Sequence, residues 1–199
     1  MSSEREALER QLTLCHQAAD YPEVAAQLVE GYGPEVVGFL AAMLGSIDDA
    51  QDVFQSCCED LIAGLPGFRR ESSFRTWTYV IARRRALKLR ARRRPHVALS
   101  QSPQVQALAE QVRTATAKFR RTDAKDSLRA LREELTEEER TLLVLRIDRG
   151  MDWPDVARIM TPDADSVKGA VRLRKRFSRL KDKLRSLALE SGLLQPEDD

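Results

Sequence analysis

Apolar residues recur at three- and four-residue intervals through two long blocks of this chain, with few β-branched runs of the kind a sheet needs. That spacing gives each segment one buried stripe, so an all-α fold is expected. Between the blocks, residues 95–125 are rich in Pro, Ser, Gln, Thr and Ala and sustain no stripe. They read as a flexible linker with one marginal helix near 104–119. A chain of 199 residues suits two small helical domains on either side of it: one over 1–94, the other over 126–190, with an acidic tail over 191–199.

In the first block, Leu8, Leu12 and Cys15 make a short stripe that Tyr21-Pro22 interrupts. Val24, Leu28, Tyr32, Val36, Phe39, Leu40 and Met43 resume it, with Gly31 and Gly33 weakening the middle. Gly45-Ser46 predicts a stop, and Ser46 or Asp48 a cap for the next helix. The inward face of that helix is Ala50, Val53, Phe54, Cys57, Leu61 and Ile62; its opposite face keeps Asp49, Asp52, Gln55 and Glu59. After Gly64-Leu65-Pro66-Gly67, Ser72 or Ser73 caps a helix with Phe74, Trp77, Ile81 and Ala82 inside. Its later turns become a run of arginines, ended by Pro95.

The second block opens with Leu128, Leu131 and Leu135. Thr136-Glu137-Glu138-Glu139 is a capping box, followed by Leu142, Leu143, Leu145 and Ile147 as an inward face and Gly150 as a stop. Asp152-Trp153-Pro154-Asp155 starts a helix through Val156, Ile159 and Met160. After Thr161-Pro162, Asp163 is expected to cap a last helix with Ser166 at its third position and an inward stripe of Val167, Ala170, Val171, Phe177, Leu180 and Leu184. Ser166, Lys168, Gly169, Arg172, Lys175, Arg176 and Arg179 fall away from that stripe. Two short helices, a tight turn and a helix with a basic outer face make a helix-turn-helix pattern. Early positions of such a helix reach base edges and later ones phosphates.

The formal net charge of +2 conceals a strong segregation. Residues 1–67 carry a balance of −10 and 68–94 one of +10; 126–165 carry −5 and 166–185 carry +8. Each block is thus an acidic segment followed by a basic one, the footprint of two anion-binding surfaces. In the first, Phe68, Phe74, Trp77 and Tyr79 stand beside the basic run, a combination suited to unstacked bases on a positive surface. Phe74 and Trp77 read as core; Phe68 and Tyr79 stay open between packing and ligand contact.

Other classes find little support. No run of eighteen apolar residues exists, and the start MSSEREALER is charged where a signal peptide is apolar, so a cytoplasmic protein without membrane insertion is expected. Cys15, Cys57 and Cys58 lack metal or disulfide spacing, and His16 and His96 read as surface or core residues. No metal site, cofactor motif or catalytic pair is signalled, and an enzyme is not expected.

Two stretches carry a resemblance. Asp49-Ala50-Gln51-Asp52-Val53-Phe54-Gln55, then Phe68-Arg69, then Ser72-Ser73-Phe74-Arg75-Thr76-Trp77 through Ile81-Ala82-Arg83, is similar to region 2 of the bacterial sigma-70 family. Leu135-Thr136-Glu137-Glu138 through Ile159-Met160 to Ser166-Val167-Lys168 resembles region 4. Together they cover most of the chain, and the compact layout resembles the extracytoplasmic-function (ECF) group.

The resemblance implies an RNA polymerase sigma factor that binds core polymerase and directs promoter recognition and melting. It assigns Asp49, Asp52 and Gln55 to the β′ clamp. Phe68, Arg69, Ser72, Ser73, Tyr79, Arg83 and Arg84 fall to the minus-ten element, and Ser166, Lys168, Arg172, Lys175, Arg176 and Arg179 to the minus-thirty-five element. It implies promoter DNA, the polymerase β flap and an anti-sigma factor as further partners. Arg84, Val80 and Ala170 depart from the common residues at DNA-facing positions, Ser56 and Cys58 from those of the clamp-binding helix, and Thr161-Pro162 from those of the turn. The competing reading is a helix-turn-helix regulator that binds operator DNA without polymerase.

Overall fold

The computed structural model describes residues 2–92, 131, 134–162 and 165–194. Among these, every regular element is helical. The first unit is α1 (Ser2–Gln17), α2 (Tyr21–Leu44), α3 (Ile47–Gly64), a 3-10 turn (Leu65–Gly67) and α4 (Phe74–Arg92). The second is α5 (Glu137–Leu143), a π-helical turn (Val144–Asp148), α6 (Trp153–Met160) and α7 (Ser166–Glu190). The expected linker over 95–125, its marginal helix, the start of the helix at Leu128 and the end of the acidic tail lie outside the described residues.

Helix ends follow their local chemistry. The Asp20 carboxylate accepts from the Glu23 amide at 3.3 Å and Pro22 sits in the first turn of α2, where its missing N–H costs nothing. Ser46 Oγ accepts from the Asp49 amide at 3.2 Å and starts α3. Thr136 and Glu139 form the reciprocal capping box at α5, at 3.3 and 2.8 Å. The α4 N-terminus is capped at long range. Glu9, on α1, accepts from the Phe74 amide at 3.0 Å and the Arg75 amide at 2.9 Å, and also from the Tyr32 hydroxyl at 2.8 Å. One carboxylate therefore ties α1, α2 and α4 together.

The core of the first unit is Leu12, Val24, Leu28, Val36, Phe39, Leu40, Val53, Leu61 and Phe74, all buried. Each such side chain contributes about 1.5–3 kcal/mol on leaving water. His16 belongs here too: its Nε2 donates to the Leu65 carbonyl at 2.8 Å, and its ring meets Tyr21, Phe68 and Phe74 edge-on. Ile62 departs from its expected inward place and is 58% exposed, because α3 buries only the narrower stripe Ala50, Val53, Cys57 and Leu61.

The second unit shows two larger departures. The Arg149 amide donates to the Val144 carbonyl at 2.9 Å, a five-residue span in place of four. That extra residue rotates the chain by about 100° relative to an α-helix. Val144 turns inward and Ile147, expected inside, turns out to solvent. At α7, the cap is Asp165 rather than Asp163; its carboxylate accepts from the Val167 and Lys168 amides, both at 2.9 Å. Ser166 is then the first helical residue, not the third.

The two units share a continuous apolar core, with α6 lying on α4 and α5 on α2. Polar contacts lock the junction. Arg75 makes a paired salt bridge to Glu35 at 2.6 and 2.9 Å and donates to the Arg149 carbonyl at 3.1 Å. The Arg149 guanidinium lies over Gly38, so close that a Cβ there would stand 2.8 Å from Nη2. Arg90 pairs with Glu137 at the far end.

Candidate nucleic-acid interface

Three surfaces gather the expected site residues. On α3, Asp52 and Gln55 are exposed and Asp49 is half-buried, opposite the buried Ala50, Val53, Cys57 and Leu61. Burial pushes the Cys57 thiol up to about 12, so the buried face stays neutral while the outer one is acidic. Asp48 and Asp49 also sit in the first turn of α3, where negative charge is favoured by the helix dipole. The acidic face costs this helix little to keep.

The second surface is the loop before α4. Arg69 and Arg70 are exposed, and Arg70 adopts the left-handed conformation at φ 58°, which turns the chain sharply. Ser73 Oγ accepts from the Thr76 amide at 3.0 Å and donates to Thr76 Oγ1 at 2.9 Å, so it is engaged in starting α4. Ser72 Oγ donates to the Ser73 carbonyl at 3.2 Å. Phe68 stacks on Trp77 at 4.5 Å and touches Phe74 at 4.8 Å, which makes it the lid of the core. Glu9, Thr13, Arg69, Arg70, Ser72 and Ser73 rim an open cleft of about 470 Å³.

On α4 itself the expected residues part ways. Tyr79 is fully buried, packs on Phe39 at 5.0 Å and points its hydroxyl toward the Glu35 carbonyl at 3.5 Å. Burial raises its pKa, which keeps the phenol neutral. It is a core residue in this arrangement. Arg84 is exposed, whereas Arg83 reaches under α6 and donates to the Ile159 carbonyl at 3.5 Å. Burial lowers the Arg83 pKa, the mark of a cation held away from water. Among the described residues, Nε of Arg83 and Nε of Arg149 are buried with no acceptor. Each such orphaned donor costs on the order of 1–3 kcal/mol, so the junction is held at a cost.

The third surface is α7. Gly169, Ala170, Leu173 and Leu180 are buried, and Phe177 packs edge-on against Trp153 at 5.5 Å. Gly169, expected on the polar face, is instead the point of closest approach to α6: a Cβ there would stand 2.9 Å from Thr161 Oγ1 and 3.2 Å from the Ala157 Cβ. Lys168, Arg172, Lys175 and Arg179 are exposed and Ser166 is half-buried. Arg176 pairs with Glu138 of α5 at 2.5 Å. Val167 and Val171, expected in the stripe, are 69% and 46% exposed and lie among the free cations.

The structure thus brings Lys168, Arg172, Lys175 and Arg179 onto one open face, and disperses the loop and α4 set between surface, cap and core. Sequence reasoning missed Glu9, the Glu35–Arg75 pair, Arg149 over Gly38, and the outward valines. Only the valines left a signal: small Gly169 and Ala170 beside them mark the side that must approach another helix.

Comparison with known proteins agrees with this geometry. Residues 28–95, which hold most of α2, all of α3, the loop and α4, match the family model of sigma-70 region 2. The RNA polymerase sigma-H factor of Pseudomonas aeruginosa is 25% identical over 151 residues, covering 72% of this chain and 78% of that protein. CnrH, solved in complex with the cytosolic domain of CnrY, superposes with a TM-score of 0.58 at 20% identity over 91% of this chain and 94% of that one. The sigma factor RpoE, solved with the anti-sigma factor NepR from Bartonella quintana, superposes at 0.58 and 19% identity over 81% and 94%. The acidic helix face and the arginine-bearing loop thus lie in the stretch, residues 28–95, that is similar to sigma-70 region 2, and the chain shares its helical fold with these solved structures.

Proposed function

We propose that the chain is an ECF-group sigma factor in which α3 docks core polymerase, the loop and α4 read and open the minus-ten element, and α7 reads the minus-thirty-five element. The observation that carries this reading is the pairing of opposites within residues 28–95: an exposed acidic face on α3 beside the arginine-rich α4. A DNA-binding chain has no electrostatic reason to keep Asp52 open next to its DNA face, unless a partner takes that surface. In this reading Asp49, Asp52 and Gln55 meet the β′ clamp and the β flap holds the second unit.

On the DNA side, Arg69, Ser72, Arg83 and Arg84 serve the minus-ten element directly, while Phe68, Ser73 and Tyr79 serve it by holding the loop and α4 in place from behind. Ser166, Lys168, Arg172, Lys175, Arg176 and Arg179 serve the minus-thirty-five element. Residues 1–94 and 126–190 act as separate domains on promoter DNA, with 95–125 between them. Burial of Arg83 beneath α6 then has a consequence: α6 must leave α4 before the minus-ten surface meets a strand. Opening of the junction would release the orphaned donors of Arg83 and Arg149 to water at that step. Catalysis belongs to the polymerase, and the chain works in the cytoplasm, on the nucleoid when in holoenzyme. An anti-sigma protein is its partner before release.

An independent operator-binding regulator would leave the α3 face without a task. The test is co-purification with core polymerase. Reversing charge in Asp49→Arg with Asp52→Arg should weaken binding about 10–100-fold, since like charges across an interface cost several kcal/mol, while helicity is kept. Undiminished co-purification of that variant would remove α3 as the docking surface.

A further inference from the structure

We infer that Val167 and Val171 read thymine methyl groups in the upstream promoter element, a contribution to specificity separate from that of the cations around them. The inference rests on the assignment of α7 to DNA and goes one step further, to the base it selects. At about 100° per residue, the buried side of α7, through Gly169, Leu173, Phe177 and Leu180, fixes the direction that faces away from the protein. Val171 lies close to the middle of that outward side, between Lys168, Lys175 and Ser178, and Val167 stands one turn before it.

Scattered exposed apolar residues are ordinary, but this pair has three unusual properties. Both valines are β-branched and lose side-chain freedom in a helix, and on the solvent side they gain no packing in return. They occupy the first two turns, the part of a helix-turn-helix recognition helix that reaches base edges. And they are surrounded by Lys168, Arg172, Lys175 and Arg179, a set of cations that can bring a polyanion against them.

In the major groove the one apolar feature of any base pair is the C5-methyl of thymine. Two isopropyl groups one helical turn apart, held at fixed height by the close seat of Gly169 on Ala157 and Thr161, are complementary to that feature and to nothing else in the groove. Every base pair offers donors and acceptors there, which a valine leaves to water, and thymine alone adds a methyl for it to pack on. The prediction is therefore an upstream element with thymine at two steps spaced to match, on one strand or divided between both.

The experiment uses holoenzyme reconstituted from the full chain and core polymerase. Upstream elements are first selected from a randomised duplex library. The selected duplex is then resynthesised with deoxyuridine in place of each thymidine in turn, which removes one methyl and no hydrogen bond. At two positions the substitution should weaken binding about four-fold each, the worth of a methyl group returned to water. In Val171→Ala at least one of these penalties should fall below two-fold, whereas Lys175→Ala should weaken thymidine and uridine duplexes alike. Equal affinity for the thymidine and uridine duplexes, or penalties unchanged in Val171→Ala, would overturn the inference while leaving α7 as the DNA helix. Failure to select any upstream sequence would instead sink the assignment of α7 itself.

Discussion

α4 and α7 are both basic helices expected to meet DNA, yet one is covered and the other open. α4 packs against α2 and α3 on one side and against α6 on another, so Tyr79 is core, Arg83 is trapped beneath α6, and Arg84, Lys88 and the arginines near its end are left to face water. α7 packs on α6 and α5 along one side alone and leaves Lys168, Arg172, Lys175 and Arg179 free. Charge density in the sequence is similar for both; accessibility is decided by how many faces the fold consumes. On the proposed function the difference would also order events, with the α7 surface open in this arrangement and the α4 surface waiting for α6 to move.

The comparison breaks most directly at the junction. Arg149→Glu should remove the guanidinium over Gly38 and set a carboxylate against α2 on the side that carries Glu35, shifting the balance between closed and open arrangements about ten-fold or more toward open. Small-angle scattering should then report a larger radius, and binding of a single-stranded oligonucleotide by the free protein should rise. An unchanged radius would mean that the junction does not depend on this contact.

A smaller effect is expected where α7 is seated. Gly169→Leu forces a side chain into Thr161 and Ala157 and should destabilise the second unit by about 1–3 kcal/mol, read as an earlier thermal transition. If stability is retained, the close seat of α7 on α6 is not what holds its outer face in place. The smallest effect belongs to single cations on the open face. Arg179→Ala should lower affinity evenly across DNA sequences and reduce the salt slope by about one unit. A change confined to one promoter would mean that Arg179 reads bases rather than phosphate.

Much of the fold was legible because its signals are local. Gly45 and Ser46 mark the α2 to α3 boundary, and Thr136 with Glu139 marks α5. What escaped depends on geometry that periodicity does not carry. The π-helical turn inserts a residue and turns Ile147 outward. The spacing of large apolar residues puts Val167 and Val171 inside α7 and Gly169 outside; the reverse holds because α6 comes close enough to need a residue without a side chain. Glu9 caps a helix that begins 65 residues later, and no local pattern announces it. The same limit applies to Tyr79 and Arg83, whose burial depends on two elements far apart in the chain meeting at one helix.

Transcription from defined templates tests the sigma-factor assignment most directly. Core polymerase freed of other sigma factors, given this protein and a pool of genomic promoter fragments, should begin RNA synthesis at discrete sites that share an upstream and a downstream element, and Asp49→Arg with Asp52→Arg should abolish most of that signal. Discrete starts equal with and without the protein, together with no retention on core polymerase, would contradict it.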